Sequence, residues 1–186
     1  NSLHTFKISK KLRLKPSIKR SEKIRAKLIS SNLKKIIGIS WKSSGRTNTF
    51  QNFTLERLML GIHSPGIRFV CLQYGDVQQE INHLKEKHDI DVYKLKEFDL
   101  FNDIDGLAAL IKACDEVVSI DNLTPFIAGS LGKKSNVLLP SNAHWCHGQD
   151  NLKSYWYDSM KYFRENKIEG WDFVFKRIKE ELQIKI

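Results

Sequence analysis

With 186 residues, 41% hydrophobic and 28% charged, the chain is long enough to bury one domain-sized core without disulfides or metal. No apolar run approaches the ~20 residues of a membrane helix, and the basic first residues are not followed by the apolar stretch of a signal peptide. The net charge of +10 sits in an N-terminal arm: residues 1–35 hold twelve Lys or Arg and one acid, and the rest hold nineteen basic against twenty acidic residues.

Residues 1–35 therefore read as a basic arm or linker, and 36–186 as the globular domain. Such an arm can touch RNA, anionic lipid or an acidic partner domain, or act as a solvated linker. The linker or interdomain reading is preferred. Nucleic acid is not an expected partner, and a peripheral contact with membrane or an acidic surface stays open. The chain begins with Asn, as a processed or cut piece of a longer protein would. Within the arm, Ile18, Ile24, Leu28 and Leu33 recur at near-helical spacing and predict a helix over about 19–31.

"KKIIGIS" (34–40) predicts a buried strand that runs into Trp41 and the polar loop "KSSGRTNTFQNF". Thr54 can cap the next helix, with Glu56 in its first turn. "GIRFVCLQYG" (66–75) reads as the second strand, 76–87 as a polar helix, and "IDVYKL" (90–95) as a third strand. "IDGLAALIKAC" is a helix with a small apolar face, and "DEVVSID" is a strand ending at Asp121. In the helix after it, Thr124 is a plausible cap with Pro125 at the first position, and Ala128, Gly129 and Ser130 permit close packing on the sheet. "SNVLLP" is the fifth strand, 141–157 a polar loop rich in Trp, and "MKYFRE" a sixth, edge strand. The terminal helix carries Val174, Ile178 and Leu182 on one face. This alternation predicts an α/β fold: a Rossmann-like parallel sheet of five to six strands with helices on both faces. Ligands of such sheets lie beyond the carboxyl ends of the strands.

The phosphate-binding and catalytic motifs of dinucleotide enzymes, P-loop kinases, zinc proteases and esterases are absent. "WKSSGR" (41–46) offers Lys42, Ser43, Ser44 and Arg46 after a strand, a set of cations and hydroxyls suited to a diphosphate. Asp121 can accept two hydroxyls of a sugar, and the amides after it, from Thr124 on, can face an anion; the competing reading is a helix cap. His144, Cys146 and His147 form a compact "HWCH" that matches no common zinc spacing and lacks a fourth ligand, so no metal is expected. Trp145, Trp156 and Tyr157 can stack on a base or pack on the domain edge. Cys71, Cys114 and Cys146 are too scattered for a disulfide framework and read as free thiols of a reducing, cytoplasmic setting.

Taken in order, "IIGISWKSSGR", "IRFVCLQYGD", "LAALIKACDEVVSIDNLTPFIAGSLGKKSNVLLP", "SYWYDSMKYFRE" and "GWDFVFKRIKEEL" resemble the C-terminal, donor-binding domain of heptosyltransferase-like glycosyltransferases of GT-B architecture. The variety attached to tetratricopeptide-repeat proteins in bacteria is the most similar. The resemblance covers roughly 36–183. It implies a nucleotide-sugar substrate, inverting transfer in glycan or glycoprotein assembly, and no required cofactor or metal. It further implies a catalytic base on a separate N-terminal Rossmann-like domain. Lys42 would contact donor phosphate or sugar, Gln73 and its loop would lie near the nucleotide, and Asp121 with Asn122 would hold the donor sugar and diphosphate. Three departures stand out. Asn122 and Phe126 replace the Thr and His of the family's Asp-Thr-x-x-x-His-x-Ala-Gly. Trp145-Cys146-His147 stands for Trp-Arg-Trp. Both prolines of Ser-Pro-Trp-Tyr-Pro are lost in "SYWYD". The alternative is thus a catalytically degenerate binding or scaffold module of a repeat protein.

Overall fold

A computed structural model describes residues 14–43, 53–148, 152–165 and 168–182. Its elements are α1 (Ile18–Leu28), β1 (Lys35–Ser40), α2 (Leu55–Ile62), β2 (Ile67–Cys71), α3 (Gln78–His88) and β3 (Val92–Tyr93) in the first half. Then come α4 (Ile104–Ala113), β4 (Glu116–Ile120), α5 (Leu123–Ser130), β5 (Lys134–Leu139), a 3-10 turn at Trp145–His147, β6 (Met160–Arg164) and α6 (Gly170–Leu182). The six strands form one parallel sheet in the order β3-β2-β1-β4-β5-β6. The chain builds outward from β1 to β3, crosses back through α4, and builds outward again from β4. The reversal lies between β1 and β4, where doubly wound sheets open their ligand crevice.

Two apolar layers sandwich the sheet. Side chains alternate along each strand, so Ile37, Ile39, Phe69, Val118 and Ile120 face α2, α3 and α6, while Ile36, Val70 and Val117 face α1, α4 and α5. Phe53, Trp171 and Phe175 form an aromatic knot between α2 and α6, with Phe53 edge-on to both partners at 4.9 and 5.2 Å. Gly61 makes room for it: a Cβ there would lie 2.5 Å from Cβ of Phe175. Helix α4 is buried along nearly its whole length because the sheet covers one side and α1 the other.

Helix α1 is narrower than its sequence spacing predicts. Ser17 caps it by accepting from the Arg20 amide, and it ends where Ile29 turns extended. Its inward face is Ser21, Ile24 and Leu28; Ile18 is exposed and Leu33 lies outside the helix. Arg20, Arg25 and Lys27 on it are held by the domain's own acids. Arg20 bridges to Asp103 and Asp105, Arg25 reaches Asp115 (2.8 Å) and the Ala113 carbonyl (2.6 Å), and Lys27 reaches Glu97 (2.5 Å). Residues 1–13 of the basic arm lie outside the described residues.

Strand β3 is shorter than the predicted 90–95, because this sheet margin pairs only with Phe69 and Val70 of β2. The other margin, β6, is partly covered by residues 152–154. Tyr162 donates its amide to the Leu152 carbonyl (2.9 Å) and Ser154 donates to Met160 (3.1 Å), which blunts an edge open to pairing. In α5, Ala128 packs toward the sheet, but Gly129 and Ser130 receive Tyr157 instead. A Cβ on Gly129 would meet the Tyr157 ring at 2.5 Å, and Ser130 donates to the Tyr157 hydroxyl at 3.1 Å.

At the amino ends of the strands, Glu181 of α6 is gripped by Lys161 (2.8 Å) and Lys134 (2.9 Å). Those hydrogen bonds, Lys161 first, hold its carboxyl at about 2, below the usual 4.5. A depressed carboxyl contributes stability above about pH 4.5 that is lost as pH falls through about 2. Glu181→Gln is expected to flatten the acid limb of the stability curve in that window while leaving its alkaline limb unchanged. Urea titrations from pH 2 to 9 check this.

Candidate functional site

The crevice at the carboxyl ends of β1 and β4 is closed by two side-chain amides. Gln73, just past β2, is 2% exposed, and its Oε1 accepts from Ser40 Oγ (3.1 Å), the Trp41 amide (3.0 Å) and the Lys42 amide (2.8 Å). Asn122 works from the other side. Its Nδ2 donates to Ser40 Oγ (2.8 Å) and to the Lys42 carbonyl (3.2 Å), while its Oδ1 accepts from the Thr124 amide (2.9 Å) and Ser119 Oγ (3.3 Å). Together they fix the backbone of residues 40–42 as it leaves the sheet.

Asn122 is therefore the cap of α5, in place of the expected Thr124. Asn is the better acceptor for the first-turn amides, and Asn122 already sits extended at the end of β4. Pro125 falls at the third helical position, still in the first turn, where an amide would have no intrahelical acceptor. Thr124 is buried.

Lys42 projects from the braced segment, and its ammonium pairs with the Glu80 carboxylate of α3; the other Glu80 oxygen accepts from Trp41 Nε1 at 3.0 Å. Ser43 is exposed beside it. Ser44 and Arg46 lie outside the described residues. Asp121 leaves the helix cap to Asn122 and keeps its carboxylate for another contact: Oδ2 lies 2.9 Å from Nε2 of His147 in the 3-10 turn. The approach is out of hydrogen-bonding alignment, and neither nitrogen of this ring, 1% exposed, has an aligned partner among the described residues.

The ring of His147 packs 6.1 Å from Phe126 of α5 and edge-on to Tyr162 of β6 at 5.1 Å. Arg164 holds the turn in place, donating to the carbonyls of His147 (2.9 Å) and Gly148 (2.6 Å). Trp156 Nε1 donates to the Cys146 carbonyl (3.0 Å), so it braces this loop, while Trp145 is exposed. None of the cysteines is a ready nucleophile. Burial pushes Cys71 up to about 11 and Cys114 up to about 12, and burial with the Asp121 charge raises Cys146.

Lys42, Ser43, Gln73, Asp121, Asn122 and Thr124 are thus all found at the carboxyl end of the sheet, around the β1–β4 reversal. Their roles divide: Gln73 and Asn122 brace, and Lys42 and Asp121 present charge. Glu80 and His147 were not expected from sequence. Glu80 had no local signal beyond lying on a polar helix. His147 was visible within "HWCH", but nothing in its spacing links it to an aspartate 26 positions earlier.

No protein-family model matches the chain. The chain is 31% identical over 151 residues to Protein FlbA of Caulobacter vibrioides (strain ATCC 19089 / CIP 103742 / CB 15), covering 79% of this chain and 25% of that protein. Among solved structures, E. coli ADP-heptose lps heptosyltransferase II superposes with a TM-score of 0.61 at 17% identity, over 91% of this chain and 52% of that one. The fold is glycosyltransferase-like. A glycosyl transferase of family 9 from Veillonella parvula DSM 2008 agrees, with a TM-score of 0.57 at 12% identity over 93% of this chain and 47% of that one. The chain thus spans a quarter of the curated relative and about half of each solved neighbour. Among the described residues no helix is long and apolar enough to cross a membrane.

Proposed function

We propose that this domain is the donor-binding half of an inverting, metal-independent glycosyltransferase acting on a nucleotide sugar in the cytoplasm, in glycan or glycoprotein assembly. The observation that carries the reading is that Lys42 and Asp121 both stand at the sheet reversal of a glycosyltransferase-like fold, where Asn122 ties the Lys42 carbonyl to the start of α5. In the transfer, an acceptor hydroxyl attacks the anomeric carbon as the bond to the diphosphate breaks. The hydroxyl proton passes to a base on a second Rossmann-like domain, and the nucleoside diphosphate leaves with the bonding electrons. Lys42 suits the departing diphosphate, and Asp121 suits hydroxyls of the sugar.

A second reading is favoured by one feature: the charged groups at the described crevice are already paired with each other, Lys42 with Glu80 and Asp121 with His147. Such a crevice also fits a module that keeps the fold without transfer, working through attached tetratricopeptide repeats. Calorimetric titration of the full chain with UDP, ADP, GDP and CMP and their sugars separates the two. Under the donor reading one base binds saturably, and Lys42→Ala and Asp121→Ala each weaken it about 10- to 100-fold, as expected for hydrogen bonds to charged groups. Absence of binding by every nucleotide, in this chain and in the longer protein with its second domain, would leave the module reading.

A further inference from the structure

We infer that His147 is a positioning residue that neutralises Asp121 and so lets the strand end accept a diphosphate; this rests on the donor reading. The inference begins with the charges around the crevice. A diphosphate brings at least two negative charges to a place where Asp121 supplies another of the same sign. Lys42 is shared with Glu80, so that pair is neutral. Arg164 is turned to the backbone carbonyls of His147 and Gly148. The one described group within ion-pairing distance of the Asp121 carboxylate is His147, 2.9 Å away.

The surroundings hold this imidazole beside Asp121. Phe126 of α5 and Tyr162 of β6 fix the ring, Arg164 fixes its backbone, and the ring is almost completely enclosed. A buried imidazole without aligned partners for either nitrogen is costly, and the nearby Asp121 charge is the feature that accounts for its place. The other titratable groups nearby are Cys146 and His144 of the same turn and the Tyr162 phenol. The thiol of Cys146 and the phenol of Tyr162 are both raised, chiefly by burial, and so stay neutral around pH 7. His144 is exposed and points its Nδ1 at Cys146 Sγ (3.3 Å).

An anion held next to the pair favours the imidazolium, so its binding takes up a proton. By reciprocity, affinity falls as pH rises. Calorimetry of the full chain with inorganic pyrophosphate, from pH 5.5 to 8.5 and in buffers of different ionisation enthalpy, tests this. Relative to pyrophosphate's own ionisation, which is common to all variants, the expected result is additional proton uptake and an affinity that falls by up to about tenfold per pH unit. His147→Gln keeps a donor and most of the volume, so a merely structural role would survive it; the additional pH dependence should nonetheless disappear. Asp121→Asn should remove it too, and adding His147→Gln to that variant should change nothing further. His144→Asn should leave the profile intact. Melting curves confirm that the variants fold. Pyrophosphate binding with a pH profile unchanged by His147→Gln overturns this inference alone. Failure of pyrophosphate to bind at any pH overturns this inference, while the donor reading is decided separately by the nucleotide titrations.

Discussion

Gln73→Met is expected to destabilise the domain by about 3–5 kcal/mol, although the two side chains are close in size and Met is the more apolar. The reason is what Gln73 leaves behind. Its one oxygen serves the buried amide of Trp41, the buried hydroxyl of Ser40 and the part-buried amide of Lys42. Each buried donor left without an acceptor costs about 1–3 kcal/mol. Trp41 is itself 1% exposed, so its amide has no access to solvent without a break in the end of β1. Urea unfolding read as a midpoint shift at constant slope measures the cost. A loss below about 1 kcal/mol would mean that the segment relaxes toward another acceptor, and that the brace is dispensable. The same variant should also disorder the presentation of Lys42, so any nucleotide affinity should fall with it.

Removing residues 1–31 should be equally severe, which distinguishes α1 from a detachable linker. Ile24 is 3% exposed and Leu28 is fully buried against α4. Burying each is worth about 1.5–3 kcal/mol. The deletion also uncovers the outer side of α4, whose Leu107, Leu110 and Ile111 belong to the same apolar layer. The ion pairs of Arg20, Arg25 and Lys27 are more than a third exposed on at least one side, so they add little. A total near 3–6 kcal/mol corresponds to a fall in Tm of about 10–20 °C for a domain of this size. Scanning calorimetry of the deletion decides the matter; an unchanged Tm would restore the linker reading. Deleting only residues 1–13 serves as the control.

The crevice gains its character from the way bracing and binding groups alternate along it. Asn122 is both the cap of α5 and a cross-link to β1, so the junction between β4 and α5 cannot shift without moving Lys42. Asp121, next in sequence, is thereby relieved of capping. One residue thus answers for structure and its neighbour is left for chemistry, which is how an Asp-Asn pair at a strand end can satisfy both demands.

Much of this was legible in the sequence for a physical reason. Strand and helix periodicity are local, and buried parallel strands need continuous apolar runs; "KIIGIS", "IRFVC", "EVVSI" and "KSNVLL" carry that signal within five or six residues. The alternation of these runs with helices determined the parallel sheet with two covered faces, and the strand ends picked out Lys42, Gln73, Asp121 and Asn122. What each does there was beyond the sequence. Gln73 as an acceptor for three donors of residues 40–42, Glu80 as the partner of Lys42, and His147 as the partner of Asp121 depend on residues 26 to 38 positions apart meeting in space. The basic arm shows the same limit. Its charge was plain in the composition, but only the packing of α1 on α4 made that charge an internal complement to Asp103 and Asp115. Long-range pairing is set by the geometry of the assembled layers, and no local pattern encodes it.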